Sequence, residues 1–523
     1  MDLHSEVLAL LRETGPGRML STAYDTAWVA RLAELGEPVG EQALEWLRAH
    51  QLPDGSWGAM QPKYHHDRLI CTLAALTTLA RRGERRDQNR LRRALVGMDT
   101  AIRGLRSDIV GETIGFEMII PTLLSEARAL GAIHREEVGF WRQTGALVPP
   151  EDPSRLDRRQ NFFRDGDYFD RLMLQRVARL ERLPMGKVNR AVTVAFSAEM
   201  AGTDSVNLFD VEHLLEANGS VSYSPSATAY FVLYVRPGYE PAMAYLRQVA
   251  ARNRDNGGIP DVAPFDTFEL SWTLWNLALA GQMDDEALAL CQPRLEFLQD
   301  AWMPGKGVGF AASYAPTDSD VTSLAYEVLS LYGRPIQFDF SYYEQEQYFR
   351  CFQVESNPSV SANVHVLGAL RRSGLPANAP QVQKVLSFLQ RRLMLDMLWF
   401  DKWHASPYYP TTHAVIACAG YADSFALNAV HWILETQNVD GSWGYYGPTA
   451  EETAYCLQAL LLWRRSGKMI SKQVLQRGLR WLAEHRFDPY PPLWIGKCLY
   501  VPVLVVRSAI LSALMLGVQE ELL

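Results

Sequence analysis

Apolar residues recur along this chain at three- and four-residue intervals, most clearly in EQALEWLRAH (41–50), VTSLAYEVLS (321–330), VLSFLQRRLM (385–394), ETAYCLQALLLW (452–463) and RSAILSALML (507–516). That spacing gathers the apolar positions on one stripe of a helix. Strict alternation of apolar and polar residues, which marks a half-buried strand, is lacking. Breaks fall at Gly, Pro and Asp clusters with helix-length segments between them. The pattern predicts an all-α protein.

A repeat refines this expectation. Ala43-x2-Trp46-Leu47-x3-Gln51-x3-Gly55-x-Trp57 recurs as Ala429-x2-Trp432-Ile433-x3-Gln437-x3-Gly441-x-Trp443, and both copies close on Asp-Gly-Ser-Trp-Gly. A weaker echo runs from Tyr245 to Gly258. Each copy predicts a helix that ends in a tight glycine turn, with the Gln amide bonded to helix-end backbone groups and the Trp covering it. Such units staple helices together and say nothing of catalysis.

The chain has 523 residues, 48% of them hydrophobic and 21% charged, enough for two or three compact units around a large cavity. A net charge of −8 argues against an extended nucleic-acid surface, which needs clustered Lys and Arg. The six cysteines are scattered without CxxC spacing, and the N-terminus lacks a basic-then-apolar leader, so a reducing cytoplasmic setting is expected. The apolar stretch 499–518 is interrupted by Arg507 and predicts a buried C-terminal helix rather than a membrane span.

Thr317-Asp318-Ser319-Asp320-Val321-Thr322 precedes a helix-patterned run. Acidic and hydroxyl residues there serve as N-caps. Two carboxyls that close together also ionise at each other's expense, which leaves one protonated as an acid in a dry pocket. Both readings stand on the residues alone.

The repeats are similar to the QW motifs of terpene cyclases that begin by protonating their substrate. Further blocks resemble the class II diterpene cyclases, and within them the bacterial halimadienyl and clerodienyl (kolavenyl) diphosphate synthases: Ser21-Thr-Ala-Tyr-Asp-Thr-Ala-Trp28, Asp67-Arg-Leu69, Gly115-Phe-Glu-Met-Ile-Ile-Pro121, Asn218-Gly-Ser220, Ser224-Pro-Ser226 and Asp401-Lys-Trp403. The resemblance covers nearly the whole chain. It implies two α/α-barrel domains in a βγ arrangement: a β domain of residues 1–20 and 220–523, an inserted γ domain of residues 21–219, and an active site between them. It also implies geranylgeranyl diphosphate as substrate. Asp-Asp occurs only at Asp284-Asp285, outside any DDxxD motif, so the diphosphate should survive and pass to a downstream class I synthase or phosphatase.

In the family's D-x-D-D motif the middle Asp donates the proton; here that is Asp320, with Asp318 as partner and Val321 in place of the last Asp. Asn363 falls where plant relatives carry an Asn that bonds the acid, and His365 reads as a packed supporting residue. By the same resemblance Lys187 and Lys402, the latter beside Trp403, contact the diphosphate, and Glu199 binds Mg²⁺. Trp272 and Trp275, three apart on one predicted helix, are candidates for lining the cation cavity. Ser222 and Asp261 stand where plant copalyl diphosphate synthases carry a His–Asn base pair, which predicts a longer-lived bicyclic cation and a rearranged halimane or clerodane skeleton. A labdane or drimane diphosphate synthase, a squalene/hopene-type cyclase and a non-catalytic helical scaffold are the rival readings.

Overall fold

Two kinds of helix make up the protein, and they differ in how much of their circumference is apolar. Tyr408–Cys418 is buried at every position, whereas Lys472–Glu484 buries only Leu475, Gly478, Leu479 and Leu482, one stripe. The first kind forms inner rings; the second jackets them. The computed structural model describes residues 2–133, 168–183, 185–253, 255–281, 283–355 and 357–523. Strand content among these is two short segments, Trp494–Ile495 and Leu499–Tyr500.

The chain divides into two compact units. The larger comprises the chain up to Leu20, Ala263–Ile495 and Tyr500–Leu523. Its inner ring runs Asp266–Leu279, Ser319–Leu331, Val360–Arg372, Tyr408–Cys418, Ala450–Arg465 and Val503–Gln519, each packed on the next and the last closing on the first. Outside lie Leu3–Glu13, Asp285–Asp300, Pro380–Arg392, Asp423–Glu435 and Lys472–Glu484. This is an α/α barrel, and the expected buried C-terminal helix is one of its inner staves.

The second unit comprises Ser21–Val262 and the four-residue excursion Gly496–Leu499. Its inner elements Ala23–Ala30, His65–Arg82, Phe116–Ala129, the 3₁₀ segment Thr193–Ala201 and Pro225–Tyr230 also pack in a closed cycle. In sequence the units join at Leu20/Ser21 and at Val262/Ala263, the latter against an expected 219/220. The difference has a packing cause. Pro225–Tyr230 packs on Ala23–Ala30, Glu240–Arg252 packs on Pro38–Ala49, and the Thr22 amide donates to the Ile259 carbonyl at 2.8 Å, so residues 220–262 complete this barrel.

The repeat's geometry explains how inner helices are seated. Gln51 Nε2 donates to the Gly55 and Arg90 carbonyls at 2.9 Å each, and Gln437 Nε2 to those of Gly441 and Val474, also at 2.9 Å. Trp57 and Trp443 donate their indole N–H back to the Leu47 and Ile433 carbonyls. Their backbone amides donate to Thr72 and Thr453, on the next inner helix, at 2.9 Å. Trp399, with partners Leu389 and Thr411, repeats both tryptophan bonds without the Gln-Gly signature, so sequence matching passes over it. The same amide-to-threonine bond joins Ile259 to Thr26, Val221 to Thr228 and Val308 to Thr322. One device therefore seats several inner helices, including the one that carries Asp320.

The turn itself demands glycine. Gly441 sits at φ +99°, and a Cβ there would lie 2.7 Å from the Arg477 carbonyl group. Gly441→Ala is expected to lower stability by at least the ~1–3 kcal/mol of a strained left-handed residue, read as a reduced urea midpoint at unchanged slope.

Candidate active site

Asp318 caps the helix Ser319–Leu331: its Oδ1 accepts the Val321 amide at 2.7 Å. Burial holds its carboxyl well above the ordinary carboxylate range, against the Val321 bond that pulls it down and with the adjacent Asp320 charge pushing it further up. It is the N-cap of that helix. Asp320 lies in the first turn of the helix, with 11% of its side chain exposed.

Asp320 Oδ1 is hydrogen-bonded to Nδ1 of His365. His365 Nε2 is in turn 2.8 Å from Nδ1 of His413. Burial, with His365 and His404 nearby, holds His413 well below the usual histidine range, so its ring is neutral. Aromatic rings enclose the row: the Trp272 centroid lies 5.5 Å from that of His365, edge to face, with Trp275 5.0 Å and Tyr409 4.4 Å from His413. Phe268, Trp272 and Trp275 share one face of Asp266–Leu279 at i, i+4, i+7.

Asn363 does not bond the acid. Its Oδ1 accepts the Phe349 amide and its Nδ2 donates to the Phe349 and Ser359 carbonyls, all at 2.8 Å. Positions two apart on a helix face opposite ways, so with His365 toward the acid Asn363 is turned away. Its contribution is indirect: it ties down the 349–351 segment, whose Cys351 carbonyl accepts the Ser319 amide at 3.0 Å beside the acid. Trp272 is fully buried, donates to the Tyr409 hydroxyl at 2.9 Å and stacks on Phe268, so it braces the histidine rather than presenting a free face to a ligand.

In the Asp401-Lys-Trp403 block the aspartate is structural. Asp401 Oδ1 accepts the Val360 and Ser361 amides and the Ser359 hydroxyl, and Oδ2 accepts the Ser361 hydroxyl, which fixes the start of the helix that carries His365. Lys402 is held by Glu355 Oε1 at 2.5 Å and the Asn357 carbonyl at 2.6 Å, with its ammonium 4.7 Å over the Trp403 ring. Trp403 is half-buried and its indole nitrogen has no partner among the described residues. Lys187 is exposed, in a segment bonded to residues 207–210; Pro184 of its motif lies outside the described residues.

Glu199 belongs to a buried cluster in the second unit that the sequence did not disclose. Lys497 Nζ, delivered by the 496–499 excursion, lies 2.7 Å from Glu199 Oε1 and from the hydroxyls of Ser224 and Ser226. Tyr24 donates to the same Glu199 oxygen at 2.8 Å. Magnesium requires oxygen donors at about 2.0–2.1 Å in near-octahedral array and keeps several waters. The Lys497 ammonium already supplies the positive charge on Glu199, and only Oε2 is unpartnered among the described residues. In the structure Glu199 is half of a buried ion pair, with Oε2 left over.

Asp261 accepts the Lys497 amide at 3.3 Å, and burial pushes its carboxyl up to about 6 against the pull of Lys497. Asp25 is raised well above the usual range by burial and by Asp261. Ser222 is fully buried at φ +49°, its hydroxyl without a partner among the described residues. The sequence blocks around Tyr24, Asp25, Ser224 and Ser226 thus converge on this cluster.

The squalene-hopene cyclase C-terminal domain model matches residues 352–489. A type B diterpene cyclase of Mycobacterium tuberculosis is 42% identical over 509 residues, covering 95% of each chain. An ent-copalyl diphosphate synthase of Streptomyces sp. (strain KO-3988) is 32% identical over 488 residues, covering 90% of this chain and 88% of its own. The solved structure of ent-copalyl diphosphate synthase from Streptomyces platensis matches with a TM-score of 0.77 at 29% identity, covering 99% of this chain and 100% of that one. The chain belongs to the class II diterpene cyclases.

The electrostatics of these carboxyls set two measurable outcomes. Asp318 holds its proton more tightly folded than unfolded, so its contribution to stability is full below the unfolded carboxyl range near pH ~3.9 and falls as pH rises, by at most about 1.4 kcal/mol per pH unit. Asp318→Asn keeps the cap and removes that fall. In urea titrations at pH 4 and pH 8, the variant should gain on the parent at the higher pH. Glu199→Gln should cost about 3–5 kcal/mol by stranding the buried Lys497 charge, while the magnesium concentration for half-maximal turnover stays where it is.

Proposed function

We propose that this enzyme cyclises geranylgeranyl diphosphate to a rearranged bicyclic diphosphate of halimane or clerodane type, with Asp320 as the proton donor. The observation that carries the proposal is a carboxyl with a small exposed face, backed by two buried histidines and a wall of aromatic rings. Asp320 transfers its proton to the terminal alkene, and the resulting tertiary cation is attacked by the internal double bonds to close two rings. Hydride and methyl shifts come next, and loss of a different proton restores an alkene, so the reaction is an isomerisation and the diphosphate is untouched.

General acid catalysis contributes about 10²–10⁴-fold, so the cavity must also stabilise the cations. Ring faces do so by about 0.5–2 kcal/mol each. Preference for the rearranged skeleton rests on Ser222 and Asp261. A hydroxyl is a poor base, and Asp261, pushed up to about 6, is a carboxyl backed by Lys497 rather than a His–Asn pair. A squalene/hopene-type substrate, which lacks a diphosphate, is disfavoured by the Lys187 and Lys402 blocks; a scaffold would have no use for a partly exposed acid on a buried histidine pair.

Purified enzyme is to be incubated with geranylgeranyl diphosphate and the products analysed by mass spectrometry and NMR with and without phosphatase. The expected result is a bicyclic alcohol only after phosphatase, and a loss of at least about 10²-fold for Asp320→Asn, in line with the general-acid factor. A hydrocarbon released without phosphatase, or near-normal turnover by Asp320→Asn, counts against the proposal. An unrearranged copalyl skeleton removes the product assignment alone.

A further inference from the structure

We propose that His413 reloads the acid: between turnovers a proton enters at His413 Nε2 and passes through His365 to Asp320. This rests on the assignment of Asp320 as proton donor. Each turnover takes one proton from Asp320, and the histidines behind it are walled by Trp272, Trp275 and Tyr409, all buried.

Both nitrogens of His365 are engaged, Nδ1 by Asp320 and Nε2 by His413 Nδ1. Each contact holds one hydrogen, and two patterns satisfy both while leaving the rings neutral. In the loaded pattern the Asp320 hydroxyl donates to His365 Nδ1, His365 Nε2–H donates to His413 Nδ1, and His413 Nε2 carries a hydrogen. In the spent pattern the Asp320 carboxylate accepts from His365 Nδ1–H, His365 Nε2 accepts from His413 Nδ1–H, and His413 Nε2 is bare. The patterns differ by one proton, the one the substrate removes. A proton taken up at His413 Nε2 displaces the one on Nδ1 to His365 Nε2, which displaces the one on His365 Nδ1 to Asp320 Oδ1. No heavy atom moves and no charge stays on either ring.

Several neighbouring polar groups are engaged elsewhere. The Tyr409 hydroxyl is bonded by Trp272, the Trp275 indole by Glu327, and the Tyr455 hydroxyl by Glu451. His404 also bonds Glu451, at 3.3 Å. His413 Nε2 is buried and has no hydrogen-bond partner among the described residues, so none of them competes with a proton for its lone pair. The depressed basicity of His413 suits a carrier that must not retain the charge.

The test separates the first turnover from later ones. His413→Asn keeps an acceptor for His365 Nε2–H but an amide cannot relay a proton; His413→Gln is the second variant if the first folds poorly. Rapid-quench assays use geranylgeranyl diphosphate with enzyme in excess, then with substrate in excess. The variant should convert its first equivalent within about threefold of the parent rate, because a loaded Asp320 is already in place. Steady-state turnover should then fall at least tenfold, giving a burst of one product per enzyme and a larger solvent deuterium effect on the slow phase. Equal falls in both phases, or no fall in either, overturn the relay. Asp320→Asn is run alongside: turnover by that variant would refute the donor assignment itself.

Discussion

Buried helix starts set the terms for the larger barrel. The first amides of an α-helix have no partner within it, and inner staves have no water to supply one. Asp318 accepts Val321, Asp401 accepts Val360 and Ser361, and Thr449 accepts Glu452. Each acceptor fixes where its helix begins, and the beginning fixes the direction of every side chain in the next one or two turns. Asp320 lies two residues past its cap, and His365 lies one turn past Val360. Were either start to slip by a residue, the side chain would rotate by about 100° and the contact would be lost.

The two units handle buried charge differently. In the second, Lys497 balances Glu199 and lies against Asp261, with Asp25 and Asp261 both pushed up by burial. In the first, Asp320 is bonded to a histidine instead. Imidazoles accept or give a proton at little cost, whereas a lysine beside Asp320 would hold it as a carboxylate. A histidine row suits the proposed proton donor.

The repeats and the chemistry meet at Thr322. The glycine-turn device that seats inner helices also seats the acid helix, through the Val308 amide and Thr322 hydroxyl at 3.0 Å. Structural and catalytic elements are therefore not separable by sequence block. Asp401-Lys-Trp403 contains a helix anchor, and Asn363 acts on the acid only through Phe349 and Cys351.

Helix content, the stapling repeats and the Asp318 cap were legible in the sequence, because each depends on neighbours within a few residues: apolar period, glycine turns, a capping Asp. The partners were not. His365 and Asn363 stand two apart in one helix, and which one meets Asp320 depends on the rotation of that helix, set by Asp401 some forty residues on. His413 carries no local signal, and its role comes from two inner helices packing side by side. Lys497 reaches Glu199 across 298 residues through a four-residue excursion, a partner no local pattern announces. Local spacing decides which residues can be chemical; tertiary packing decides which polar atoms share a dry space and must satisfy one another.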